Sequence, residues 1–230
     1  MKKRFIDLLS QHQLFVVPFL IFLAFAFCME AIFPKADLFL LTNQYHSPFF
    51  DSFFQIETHL GDGKMLLFVG ICLALVKYRY SLLTLIAFAY ASVITQILKR
   101  IFHAPRPSKF FEDLYEIRTI PGLKIHEWNS FPSGHSVSAF TLAVILMHII
   151  RYKYRGVIIF PLALLTIFSR TYLAQHFFQD IVAGSILGTV LTFQVIWWLE
   201  NSSWYHSPKL DGRLRLFQRH KQANNEQNAK

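Results

Sequence analysis

Six apolar stretches run along the chain, with polar or basic residues gathered in the gaps between them. The first covers 14–33, long enough to cross a bilayer as a helix. A second over 63–76 is short for a crossing and is expected to begin earlier, near Ile56. The others cover 81–98, 136–150, 157–168 (continuing toward Leu173) and 180–199. Inside hydrocarbon a lone segment satisfies its backbone polar groups only as a helix. The pattern therefore predicts an all-α, polytopic membrane protein, a six-transmembrane-helix bundle. Residues 1–13 read as an interfacial basic lead-in and 14–200 as the membrane domain. Residues 201–230 read as a basic cytoplasmic tail, partly disordered, in particular after Phe217.

Composition supports the membrane reading. Hydrophobic residues make up 53% of the chain and charged residues only 16%, against roughly 25% charged in an average soluble domain. The net charge of +9 would suit a nucleic-acid partner. None is expected, because the Lys and Arg residues sit in short loops and tails between apolar segments. Lys2, Lys3 and Arg4, the turns at 77–80 and 151–155, and the tail all fall on one side of a six-span layout. By the positive-inside rule that side is the cytoplasm, with both termini there. The loops at 34–62, 99–131 and 169–180 then face outward, the first rich in turn residues and in aromatics suited to the headgroup level. The first apolar run reads as an anchor, since no small-residue cleavage site follows it. Cys28 and Cys72 lie inside apolar runs and suit neither a disulfide nor a metal pair. Gly184 and Gly188 form a small-xxx-small pattern, read as close packing within the bundle. A homodimer is compatible with it but not indicated.

The candidate chemistry gathers on the outward side. Phe131-Pro132-Ser133-Gly134-His135-Ser136 precedes an apolar run. Pro132 suits a first helical turn, and free N–H groups at a helix start favour an anion such as phosphate. The end of the third span supplies Lys99 and then Arg106-Pro107. The end of the fifth supplies Ser169-Arg170, followed by His176 and Asp180. A phosphomonoester dianion needs cations around its oxygens. Lys99, Arg106 and Arg170 provide them, two as planar forks. Ser133 and the N–H groups near Gly134 add neutral donors. His176 and Asp180 are four apart, a spacing that shares one helix face. Asp180 can then hold one imidazole nitrogen and orient the other as a nucleophile. His135 stands where an acid or base is needed.

These residues resemble the signature of the type 2 phosphatidic acid phosphatases, related to the vanadium haloperoxidases. That signature is Lys-x6-Arg-Pro, then Pro-Ser-Gly-His, then Ser-Arg-x5-His-x3-Asp. It is met by Lys99, Arg106, Pro107, Pro132, Ser133, Gly134, His135, Ser169, Arg170, His176 and Asp180. The resemblance implies a lipid phosphate phosphatase with a phosphohistidine intermediate on His176. His135 would protonate the leaving alkoxide and then activate water. It implies no metal and no cofactor. The expected partners are a membrane lipid phosphate and the bilayer itself. Candidate substrates are phosphatidate, phosphatidylglycerophosphate, undecaprenyl diphosphate and lipid A. The expected place is the outer, periplasmic face of a bacterial inner membrane. Rival readings are a lipid phosphotransferase using the same histidine, a vanadate haloperoxidase, and an inactive transporter or scaffold.

Each residue also has a plainer reading. Lys99 and Arg100 suit interfacial anchors, Asp180 suits an N-cap, and His176 suits an interfacial ring. Their joint occurrence decides for function. His59, His103, His126 and His148 lack motif partners. Phe49, Phe50, Phe53, Phe54 and Trp128 suit either bilayer anchoring or a lipid entrance. Gly61-Asp62-Gly63 reads as a turn before the second span.

Overall fold

The computed structural model describes residues 4–214. Lys2, Lys3 and the tail beyond Phe217 lie outside the described residues. Among the described residues the regular elements are all helices, with one isolated bridge between Pro105 and Trp128, and 111–133 is a long connection without helix. A short helix α1 (Phe5–Gln11) leads into α2 (Gln13–Ile32). Next come α3 (Lys35–Asn43), α4 (Pro48–Glu57), a 3-10 turn Thr58–Gly61, and α5 (Gly63–Cys72). Then follow α6 (Tyr78–Phe102), the single turn α7 (Pro107–Phe110), α8 (Gly134–Ile149), α9 (Arg155–Tyr172) and α10 (Phe178–Glu200).

Among the described residues four helices are long and apolar enough to cross a membrane: α2, α6, α9 and α10. A fifth crossing arises if Pro48–Gly61 and Gly63–Leu75, bent by 55° at Asp62, count as one broken span. The fourth apolar stretch becomes α8, with 16 residues. It is shorter than a crossing helix because it is the core: Phe140, Val144 and Ile145 are fully buried, and α6, α9 and α10 all pack on it. A helix apolar on every side fits such a central place. By contrast α2 fully buries only Phe15, Phe19 and Ala26, packs Val16, Phe22 and Leu23 partly against the core, and exposes Val17, Leu20, Ile21, Phe25 and Phe27.

The segment 34–62 is not the loop expected of it. It holds α3 and α4. The Ser47 hydroxyl caps α4 by accepting from the Phe50 N–H, and Pro48 fills the first position. The expected helix-start position of Pro132 is also corrected. Ser133 is the N-cap of α8, its hydroxyl accepting from the Ser136 N–H, so Pro132 precedes the helix. The 169–180 segment is mostly helical too: Ser169 and Arg170 belong to the last turn of α9. The early tail is ordered. Asp211 pairs with Lys77 and Arg79 at 3.1 Å each, and Gly212 accepts from the Tyr78 N–H.

The two glycines of α10 set the site's geometry. A Cβ at Gly184 would stand 2.6 Å from the Ser133 carbonyl, and one at Gly188 2.5 Å from that of Val137. Their absence lets α10 lie directly against α8. The small-xxx-small face is therefore spent on packing within the chain. It brings the two helix starts together, and the Ser133 N–H donates to the Asp180 carbonyl at 3.0 Å.

Candidate active site

The C-terminal ends of α6 and α9 and the N-terminal ends of α8 and α10 meet at one end of the bundle. Antiparallel packing of neighbours makes this so, and it places Lys99, His135, Arg170 and Asp180 together. The connection after α6 completes the group. His103 and Asn129 adopt left-handed φ of 38° and 60° and turn the chain back on itself. The His103 ring stacks on Trp128 at 4.9 Å. The Ser130 N–H donates to the Ala104 carbonyl, and the Arg106 N–H to that of Glu127. Arg106 is thereby pulled inward. Its Nε donates to the Trp128 carbonyl, and Nη1 reaches both the backbone and side-chain oxygens of Gln175. Lys99 Nζ donates to the Asn129 carbonyl at 2.9 Å.

His176 does not share a helix with Asp180, as their spacing suggested. Helix α9 ends through Ala174 at a φ of 55°, with Gln175 and His176 both donating backbone N–H groups to the Arg170 carbonyl. His176 sits in that short connection, buried, and Asp180 is in the first turn of α10. Asp180 is not the N-cap either. It is the third helical residue, and its Oδ2 accepts from the Phe177 N–H at 3.0 Å. The predicted pairing still forms: His176 Nδ1 lies 3.4 Å from Asp180 Oδ2. Ser130, which no motif reasoning singled out, joins them. Its hydroxyl donates to Asp180 Oδ2 at 2.5 Å and lies 3.4 Å from His176 Nδ1. With Nδ1 directed at Asp180 and Ser130, Nε2 is the nitrogen left for chemistry.

Arg106 and Arg170 are both buried. Arg170 Nη1 donates to the Thr58 hydroxyl at 2.7 Å, but its Nε is buried without a protein partner. A guanidinium N–H left so in a low-dielectric site is costly unless an anion takes it up. Burial holds the Arg106 guanidinium below its ordinary value, against the attraction of Asp180. Burial also holds the His176 imidazole well below the usual histidine value, with Arg106, Arg170 and Lys99 adding their positive field. The imidazole is thus kept neutral beside three cations. Ser133 is buried, with its hydroxyl and N–H bonded to Ser136 and Asp180. The hydroxyl only accepts that bond and keeps its own O–H to donate, and the N–H groups of Gly134 and His135 in the first turn have no partner within the helix.

The structure also brings in Asp62, read from sequence as a turn residue. Its Oδ1 lies 2.9 Å from His135 Nε2, and its Oδ2 2.8 Å from His59 Nδ1. Nothing in the local sequence signals this, because α4 and α5 must bend before Asp62 reaches α8. Among the described residues no group of three or more His, Cys, Asp or Glu side chains is arranged to hold a metal ion.

The family model of the PAP2 superfamily matches residues 77–204, more than half of the 230-residue chain and all eleven signature positions. The chain belongs to the PAP2 superfamily. Among its PAP2 relatives, a lipid A 4'-phosphatase of Bacteroides thetaiotaomicron is 28% identical over 163 residues. That match covers 66% of this chain and 71% of the relative. Phosphatidylglycerophosphatase B of Bacillus subtilis is 30% identical over 60% of this chain and 70% of its own length. The crystal structure of Aquifex aeolicus LpxE superposes with a TM-score of 0.62 at 30% identity, covering 70% of this chain and 93% of that one. This PAP2 chain is thus a multi-pass membrane protein and a phosphoric ester hydrolase.

Proposed function

We propose that the protein hydrolyses the phosphate ester or diphosphate of a membrane lipid through a phosphohistidine on His176, with no metal. The observation that carries this reading is the buried, unpartnered Nε of Arg170 beside a neutral, buried His176. Lys99, Arg106 and Arg170 surround the non-bridging oxygens, and the first-turn N–H groups of α8 complete the cradle. The Nε2 lone pair of His176 attacks phosphorus, and the lipid oxygen leaves with the electron pair and a proton from His135. Water then gives a proton to His135, attacks phosphorus, and releases phosphate from His176. Asp180 and Ser130 hold the imidazole through both steps.

The lipid character of the substrate rests on what flanks the site. An apolar cavity of about 480 Å³ lies between α3, α4 and α9, lined by Tyr45, Phe50, Phe54, Phe168 and Tyr172. A second cavity of about 470 Å³ lies between α2, α6 and α10, lined by Phe27, Phe102, Phe131 and Ile186 together with the polar Glu30 and Gln179. Phe49, Phe50 and Phe53 are exposed beside the first, as side chains in a bilayer interface would be. We place the site at the periplasmic face of a bacterial inner membrane, with both termini cytoplasmic and α8 as the sixth crossing. The relatives are named for lipid A, phosphatidylglycerophosphate and, in Sulfolobus acidocaldarius, undecaprenyl diphosphate. These three and phosphatidate form the test panel. Purified protein should release inorganic phosphate from at least one of them in excess EDTA. Release from none, or only after Mg²⁺ is restored, would overturn the reading.

A further inference from the structure

The elbow between α4 and α5 reaches both Arg170 and His135. Thr58 on it accepts from Arg170. Glu57, one residue earlier, accepts from the Thr166 hydroxyl at 2.6 Å. Gly61 has no room for a side chain: a Cβ there would stand 2.9 Å from Thr166 Cγ2 and 3.1 Å from the His135 carbonyl. The elbow is thus pressed against α8 and α9 at the level of His135 and Arg170. Asp62 sits at its apex, between His135 Nε2 at 2.9 Å and His59 Nδ1 at 2.8 Å. The His59 side chain is 67% exposed, whereas that of His135 is 27% exposed. The carboxylate therefore bridges an outer imidazole and an inner one.

We propose that Asp62 is the positioning residue of His135, with His59 sharing its carboxylate from the solvent side. This rests on the function proposed above. Asp62 engages Nε2, so Nδ1 is the nitrogen that faces the reacting oxygens. When His176 attacks and the phosphorus–oxygen bond breaks, the Nδ1 proton passes to the lipid oxygen. His135 is left neutral, still holding its Nε2 proton against Asp62. In the second step Nδ1 accepts the proton of the attacking water. Asp62 takes no proton itself; it fixes the ring and favours the imidazolium form over which the charge cycles. It stands to His135 as Asp180 stands to His176, so each histidine has its own carboxylate. Gly61 serves the same arrangement by letting the elbow close.

The test uses the full chain in detergent, with wild type, Asp62→Asn, Asp62→Glu, Gly61→Ala, His135→Ala and the Asp62→Asn/His135→Ala double variant. A phosphatidate carries a poor alkoxide leaving group that needs a proton, and p-nitrophenyl phosphate carries one that does not. Asp62→Asn should lower kcat on phosphatidate about 10²-fold, with KM unchanged within about twofold, since Asp62 does not touch the phosphate. The single-turnover burst of p-nitrophenol should fall by less than about fivefold. Asp62→Glu should recover part of the loss. In the double variant Asp62→Asn should cost nothing beyond His135→Ala. Gly61→Ala, which keeps both side chains but opens the elbow, should show the same leaving-group selectivity in milder form, and it carries the test if Asp62→Asn does not fold. Equal losses on both substrates, additive losses in the double variant, or no loss in Asp62→Asn would each overturn the proposal. A wild type that releases phosphate from no lipid of the panel would instead overturn the function itself.

Discussion

Arg170 has one partner in the fold and one buried donor to spare. Nη1 is committed to Thr58, and Nε is buried with nothing in the protein to meet it. A lysine at this position keeps the charge but cannot reach both Thr58 and a phosphate oxygen, because its ammonium is a point donor on a flexible stem. Arg170→Lys should therefore cost about 10²-fold or more in kcat, the scale of losing one donor to transition-state charge. Turnover within a fewfold of wild type would make Arg170 an anchor only. His176 gives a second prediction at this scale. Its pKa is lowered by burial first and by Arg106, Arg170 and Lys99 next. A histidine so shifted stays neutral as pH falls through about 6.5, the ordinary histidine value, and protonates only well below it. Histidine-labelled protein, compared with His176→Asn in nitrogen NMR, should show a neutral His176 at pH 5.5. A midpoint at or above 6.5 would contradict the field described here.

The packing of α10 on α8 is the contact that aligns the site, since it joins Ser133 to Asp180 and sets His135 beside the cations. Gly188→Val would drive a side chain into the Val137 carbonyl and Phe140 Cβ, at 2.5 and 3.0 Å from its Cβ. Overpacking of this kind costs about 1–3 kcal/mol. The variant should therefore melt at lower temperature in detergent and lose activity on every substrate alike, unlike Asp62→Asn. An unchanged melting temperature would mean that α10 does not need this approach. The crossing helices were legible as sequence, because a run such as 14–33 has few other ways to satisfy its backbone. So were the cations and both histidines, through their fixed spacing. Helices α3 and α4 were not. Their aromatic and turn-forming residues read as an interfacial loop, and only packing against α9 and the 99–131 segment decides for helix. Asn43, for example, exchanges two hydrogen bonds with the Arg118 backbone, and Asp51 meets His46, Tyr172 and Arg118 together. Ser130, Thr58 and Asp62 escaped notice for a related reason. Each lies in a turn whose local sequence is ordinary, and each reaches its partner only once the helices around it are in place.

At the scale of the whole molecule the two ends differ in how their basic residues are used. At the end that holds the site, Arg106 is bound by Gln175 and Trp128, Lys99 by Asn129, and Arg118 by Asp51. These cations have partners within the fold, and the function proposed above gives Lys99 and Arg106 a further use, so they are poor witnesses to membrane orientation. The opposite end carries Lys77, Arg151, Lys153 and Lys209 in connections next to helix ends, and Arg79 and Arg155 in the first turns of α6 and α9. The positive-inside rule counts residues of that kind, and it counts them without offset from acids such as Asp211. This is the basis of the orientation proposed above, with the site outside, facing lipids of the outer leaflet, and the α10 C-terminus inside. Single cysteines read this directly, once Cys28 and Cys72 are replaced. Positions Leu114 and Lys124, exposed on the site side, should react with a membrane-impermeant maleimide in intact cells. Positions Lys153 and Lys209, exposed on the other side, should react only after the membrane is opened. The reverse pattern would turn the active site toward the cytoplasm. Its substrates would then have to be lipid phosphates of the inner leaflet, where newly made precursors stand, and outer-leaflet lipid A would leave the list of candidates.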